Sequence, residues 1–513
     1  MSNSRISNSL KNISSGIIAQ VFQMVLGFVS RTIFIKYLAI EYLGVSSLFA
    51  NILTLLSVAE LGITGAILFS LYKPLANNDE EGISKHIYFF KYVYVLIACF
   101  VSVIGLVLLP FLDALIDNPP DKIVKELPYI YLLFLANSVS SYLLAYKITL
   151  FHADQRSYVV TSKSVIISIL QNLFQILSLV IFRNFFIFLS IQLVFQLVSN
   201  FYFSYLVNKH YPFLKKYASL KLPAEQKKKI YNDVKNTSIT KIGGLVLSNS
   251  SNLVVSHFSG LLTLGLLSNY AMLLALASNF ISQVFSGITG SIGNINAKET
   301  IEKKRDVFNL VSFLNFWLYG FGFVCFVLLA NDFINIWLGQ KFLLSLSIVV
   351  ALGLSFFMVG MQNAIFSFKS TLGIFKQGRF IVLITSVINL VLSIYAAEQF
   401  GVFGVLMAIV VARLVTNTWY EPYILYKYGL FEKVGKFYLS YIKYVFILAL
   451  NVFIVLLLNE FINLSGWILV VTKFLIIFFL FHLILFIFFR KKPEYKYLLD
   501  ILNVLMLKKN KKS

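Results

Sequence analysis

The chain has 513 residues, of which 58% are hydrophobic, 16% aromatic and only 13% charged, with a mean hydropathy of +0.81. That composition excludes a soluble globule of this length, because too few polar residues remain to cover it. The net charge of +22 does not imply nucleic acid, since most basic residues fall in loops of one parity, as the positive-inside rule expects of a membrane protein.

Runs of about 20 apolar residues, enough to span hydrocarbon as helix, recur from end to end. In order they cover 13–36, 43–72, 87–110, 127–150, 160–182, 185–207, 236–258, 263–295, 308–330, 343–368, 379–398, 402–426, 440–459 and 466–489. The expected fold is an all-α polytopic membrane protein of about fourteen transmembrane helices. The first run follows Ser2 to Lys11 without a small-residue cleavage site and reads as a retained span. The basic loops place both termini in the cytoplasm. The most basic connector, with Lys227-Lys228-Lys229, reads as a solvated cytoplasmic linker near anionic headgroups. Cys99 and Cys325 lie in separate apolar runs and build neither a disulfide framework nor a metal site.

The chain repeats itself. Lys147-Ile148-Thr149-Leu150 returns as Lys369-Ser370-Thr371-Leu372 at an offset of 222, and Gly62-Ile63-Thr64-Gly65 returns as Gly287-Ile288-Thr289-Gly290 at 225. Lys11-Asn12 returns as Lys235-Asn236 at 224. Nearly equal offsets argue for a duplicated six-span unit, and an even span count makes the two copies parallel. The expected organisation is an N-terminal six-helix lobe over 1–208, a basic cytoplasmic linker over 209–235 and a C-terminal six-helix lobe over 236–428. Two further helices and a basic tail occupy 429–513.

A charge at mid-bilayer costs about 2.5 to 3.5 kcal/mol on insertion scales, so deep charges mark candidate sites. In the first span Gly16, Gln20, Gln23, Gly27 and Arg31 share one face. That stripe either packs a helix or lines a cavity, and Arg31 either faces the cavity or snorkels outward. Glu60 sits mid-span, too short to reach either surface, so it must be protonated, paired or in water. The seventh span carries Lys241, Gly244, Ser248, Asn252 and Ser256 on one face; the eighth carries Asn279, Ser282, Ser286 and Thr289. Polar stripes on spans that match across the repeat suggest a shared aqueous cavity. Arg413, deep in the twelfth span, suits a phosphate or a carboxylate such as Glu60. Lys147 and Lys369 are repeat-related and read either as anchors or as substrate ligands. His257 and His482 have no metal-ligand partner at spacing. No phosphate-loop motif is present, so ATP hydrolysis by that route is not expected.

With these residues in hand, the chain resembles the flippases of bacterial polysaccharide repeat units, the O-antigen and capsule type of the multidrug/oligosaccharidyl-lipid/polysaccharide exporter superfamily. The resemblance rests on Ser30-Arg31-Thr32, Glu41-Tyr42-Leu43-Gly44-Val45, Ala59-Glu60-Leu61-Gly62-Ile63, Ser268-Asn269-Tyr270, Gly293-Asn294, Ile336-Trp337-Leu338-Gly339, Lys369-Ser370-Thr371 and the Arg413 span. One departure is Ser251, where related chains often carry an acid before the Asn of the seventh span. The resemblance implies movement of undecaprenyl-pyrophosphate-linked oligosaccharide from the inner to the outer leaflet of the cytoplasmic membrane by alternating access. Arg31 and Arg413 would then attract the pyrophosphate, Asn252, Gln20 and Gln23 would bond sugar hydroxyls, and Glu60 would gate or take a coupling proton. Lys147 and Lys369 complete the substrate-binding set. No cofactor beyond a coupling H+ or Na+ is implied, and the partners would be membrane lipids, polysaccharide polymerase and glycosyltransferases. The alternatives are an ion-coupled multidrug exporter of the same architecture and a non-transporting envelope scaffold.

Overall fold

The computed structural model describes residues 2–60, 63–112, 121–154, 156–217, 220–374, 377–459, 462 and 464–496, and among them the protein is helical with no strand. Leu61 and Gly62, part of one repeat landmark, lie outside the described residues, as do the side chains of Lys241, Ser286 and Thr289. By its internal contacts the chain forms two compact units, Met1–Gly265 and Leu266–Ser513.

In the first unit α1 (Ser2–Tyr37) packs along α7 (Ser157–Phe182). Its Phe34 meets Phe185 and Phe188 edge-on at 5.6 and 5.4 Å, at the start of α8 (Phe185–His210). The turn between α7 and α8 is tight because Arg183 takes a left-handed φ of 50° and the Asn184 side chain accepts from the Phe186 and Ile187 amides. The expected span 43–72 is not one helix. It divides into α2 (Glu41–Leu56), a 3-10 turn (Ser57–Glu60) and α3 (Ile63–Ala76). The Ser57 hydroxyl donates back to the Thr54 carbonyl at 2.6 Å, the local bonding by which Ser competes with a regular helix. Asp79 caps α4 (Glu80–Leu108) by accepting from the Gly82 amide at 2.8 Å. α5 (Asp121–Leu143) bends by 47° into α6 (Ala145–Ala153). A short helix, α9 (Phe213–Lys216), precedes α10 (Ala224–Lys298).

α10 is broken at Gly260, where φ 74° and ψ 174° favour glycine. The segment after that break crosses α2 at backbone distance. A Cβ on Gly44 would lie 2.1 Å from the Leu261 carbonyl oxygen, and one on Gly265 would lie 2.6 Å from that of Ile40. This close approach ties 261–265 to the first unit, whereas the sequence reading begins the second lobe at 236.

The second unit continues from α10 into α11 (Ile301–Leu338), α12 (Leu346–Met361) and α13 (Asn363–Thr371). There follow α14 (Ile381–Val415), α15 (Asn417–Leu425), α16 (Gly435–Asn459) and α17 (Gly466–Phe489). α14 is broken at Gly401, φ 55°. The last two helices pack on α11 through a stacked Phe316–Tyr444 pair at 3.9 Å, a Lys473–Asp332 salt bridge at 2.6 Å and a Trp317–His482 hydrogen bond at 3.1 Å. Lys473, a charge inside an apolar span, thus acts as an anchor of α17. Because an indole N–H only donates, His482 accepts with Nε2 and its Nδ1–H faces the Phe478 carbonyl at 2.7 Å.

Among the described residues ten helices are long and apolar enough to cross a membrane, or eleven if the bent α5–α6 pair is one span. The protein is therefore a multi-pass membrane protein. The difference from fourteen lies at three breaks: Ser57–Glu60, Gly260 and Gly401. The apolar helix through Gly260, Ile242–Phe285, has 44 residues. At about 1.5 Å per residue it is roughly twice the ~30 Å hydrocarbon thickness, long enough for two crossings.

Candidate functional site

In the first unit α6 presents Lys147 toward α8. Its ammonium donates to the Ser204 hydroxyl at 2.6 Å and the Asn208 side-chain oxygen at 3.2 Å. Both partners are neutral, so the positive charge is oriented but not cancelled. Asn200, on the same helix, is buried and donates to the Ser140 carbonyl, fixing α8 against α5.

Glu60 closes the 3-10 turn between α2 and α3 and is partly buried. The Tyr94 hydroxyl of α4 approaches its carboxylate at 3.5 Å. The carboxylate is thus at a break in a span rather than within a regular helix, and irregular backbone at membrane depth is tolerated only where it is buried in protein or lines a water-filled cavity. Arg31 is partly buried on α1, with Thr32 beside it bonded to the Phe28 carbonyl. Gln20 is partly buried, and Gln23 is exposed together with Phe22, Met24 and Val25. In α10 Asn249, Ser250 and Ser251 are buried and Asn252 is half-buried. Asn249 donates to the Leu245 carbonyl at 2.8 Å.

In the second unit Lys369, the repeat mate of Lys147, is held otherwise. Its ammonium is paired with the Glu421 carboxylate of α15, and the two side chains are only 10% and 2% exposed. Arg413, near the end of α14, is 8% exposed, and its Nε is buried without a hydrogen-bond partner among the described residues. No salt bridge joins it to a described carboxylate of its own unit, and Glu60, the carboxylate expected to suit it, belongs to the other. Past Arg413 the helix breaks at Thr416, where Thr385, Thr416 and Asn417 form a buried cluster with oxygen contacts of 2.7 and 2.8 Å. The structure therefore brings Lys369 and Arg413 into one unit, with the polar break at Thr416 lying in the chain between Arg413 and Glu421, the partner of Lys369. It keeps Lys147, Glu60, Arg31, Gln20, Gln23 and Asn252 in the other.

Glu421 was missed by the sequence reading. Its signal was available, a carboxylate followed by Pro422 inside an apolar run. Ser204 and Asn208 carried no such signal. A separate cavity of about 800 Å³ in the first unit is lined by Lys73, Asp79, Lys85, His86 and Gln226, none of them predicted. There Lys85 is paired with Glu81 at 2.5 Å. Among the described residues no cluster of three or more His, Cys, Asp or Glu could hold a metal.

No protein-family model matches the chain, and no curated protein matches it by sequence. Solved structures do. The lipid II flippase MurJ in its inward closed conformation is similar at TM-score 0.67 and 16% identity, covering 93% of this chain and 98% of that one. A multidrug resistance MATE family transporter of the MOP superfamily, inward-facing, matches at 0.59 and 13% identity over 82% of this chain and 99% of that one. A point mutant of the Vibrio cholerae MATE transporter VcmN matches at 0.53 and 12% identity over 83% and 98%. The chain has the fold that these flippases and transporters share.

Proposed function

We propose that the protein is a flippase that moves undecaprenyl-pyrophosphate-linked oligosaccharide from the inner to the outer leaflet of the bacterial cytoplasmic membrane by alternating access, for O-antigen, capsule or a related surface glycan. The observation that carries this reading is a pair of inward-held cations on a fold shared with a lipid flippase. Lys147 is half-buried and, among the described residues, cradled by neutral oxygens, and the Arg413 Nε is buried without a partner among the described residues. A pyrophosphate headgroup cannot be solvated by hydrocarbon, and oriented cations inside the protein offset that cost. In this reading Arg31, Arg413 and Lys147 attract the pyrophosphate, Gln20, Gln23 and Asn252 meet sugar hydroxyls, and Glu60 takes or gates a coupling proton. The multidrug exporter shares the fold, but an exporter of cations wants unpaired acids, and Glu421 is already neutralised by Lys369.

The test is transfer of a labelled lipid-linked oligosaccharide across reconstituted vesicles. Transfer is expected with the wild type. Arg413→Ala and Glu60→Gln are each expected to slow it tenfold or more at unchanged protein level. Full transfer by Arg31→Ala, Arg413→Ala and Glu60→Gln alike would remove the assignment of these roles, and no transfer by the wild type would remove the flippase reading.

A further inference from the structure

Lys369 and Glu421 make a neutral pair inside an apolar unit, at α13 and α15. Gly378 lies against the ammonium: a Cβ added there would be 3.6 Å from the Lys369 Nζ and would also touch the Tyr420 and Ile424 side chains. The elements packed against α15 are α13, α14 and the turn that follows α15. α13 carries Lys369, the partner of Glu421. α14 carries Arg413, eight positions before Glu421 in the chain, and the turn after α15 carries Tyr426, Lys427 and Tyr428. Glu432, further along, is taken up by Arg305. Among the described residues Lys369 is the charged group that acts on the Glu421 carboxylate.

A buried ion pair is a poor source of stability, because desolvation of both charges offsets their attraction. What it does impose is a constraint on charge. A proton added to Glu421 alone leaves a buried ammonium uncompensated, and an anion added to Lys369 alone leaves a buried carboxylate uncompensated; both are disfavoured. Added together they leave the site neutral.

Resting on the flippase reading above, we infer that Lys369 and Glu421 form a proton-coupled anion site, where a pyrophosphate oxygen takes the Glu421 carboxylate's place on the Lys369 ammonium and the displaced carboxylate takes up one proton. The charges balance. Before binding the site holds one ammonium and one carboxylate; afterwards it holds one ammonium, one phosphate oxygen and one neutral carboxylic acid, the proton coming from water. By linkage, anion binding and protonation strengthen each other equally. Affinity at this site therefore falls up to tenfold for each unit rise in pH. The neutral cradle of Lys147 imposes no such dependence.

The experiment uses the purified full chain and geranyl pyrophosphate, titrated calorimetrically near pH 8 in two buffers of different ionisation enthalpy. Phosphate groups, with a second ionisation at about 6, are already fully ionised there. About one proton is expected to be taken up per probe bound. Lys369→Arg keeps the uptake, because Glu421 remains. Lys369→Arg with Glu421→Gln binds without uptake, because the guanidinium stays charged and the amide does not titrate. Binding to the wild type without uptake overturns the inference and leaves the flippase reading intact, as does uptake that persists in the folded double variant. No binding at all overturns both. If the double variant does not fold, the proton count of the wild type decides alone.

Discussion

Lys147 and Lys369 are 222 residues apart in a duplicated sequence, and each lies on a nine-residue helix that follows a break. One is held by a hydroxyl and an amide, the other by a carboxylate. The duplication kept the cation and its helix but not what it faces. On the flippase reading proposed above, the first unit offers a charge that an incoming anion can use directly, while in the second an anion must first displace a resident one. A repeat in sequence predicts equal scaffolds; it does not predict equal chemistry.

The comparison breaks most visibly at Glu421. Glu421→Ala strands the Lys369 ammonium in an apolar interior and is expected to cost about 3–5 kcal/mol, read as a large fall in thermal midpoint. Replacing both partners, Lys369→Met with Glu421→Leu, should restore most of that loss, since an apolar pair carries no desolvation cost. A fall of about 1 kcal/mol or less for Glu421→Ala, the scale of a surface ion pair, would mean that the pair is solvated and that the two lysines are alike after all.

A smaller effect, on transport rather than stability, is expected at Lys147. Lys147→Met removes the uncancelled charge and should slow flipping about tenfold, worth about 1.4 kcal/mol of barrier. Ser204→Asp sharpens the contrast by building into the first unit the arrangement found in the second. The new carboxylate would cancel Lys147 and slow flipping to a similar degree, with the thermal midpoint unchanged or raised. If Ser204→Asp transports normally, cancellation of the charge is not what separates the two units.

Much of this architecture is legible in the sequence, because membrane helices announce themselves by length and hydropathy and a duplication by its offset. The breaks are less so. Gly260 and Gly401 look like other glycines until a positive φ is seen there, and the 3-10 turn at Ser57–Glu60 is hidden in a run that is apolar throughout. The candidate site is legible only as its charged members. Hydropathy singles out Arg413, Glu60 and Lys473 as charges that need a reason, but it does not say that Lys473 has Asp332 or that Lys369 has Glu421, partners 141 and 52 residues away in sequence. Ser204 and Asn208 are ordinary polar residues near a span end, and only the fold gives them a role.

The smallest effect expected is at Ser204 itself. Ser204→Ala removes the 2.6 Å hydrogen bond but leaves the Asn208 contact, so Lys147 stays charged and loosely aimed. A single hydrogen bond is worth about 0.5–1.5 kcal/mol, and with the Asn208 contact left in place the lower half of that range applies, which predicts a reduction of flipping of about threefold, smaller than for Lys147→Met. The two variants then separate the charge from its aim. Were Ser204→Ala as damaging as Lys147→Met, the first unit would depend on where the ammonium points as much as on its presence. The neutral cradle would then be as much a part of the site as the lysine, and the carboxylate in the second unit would differ from it in charge but not in purpose.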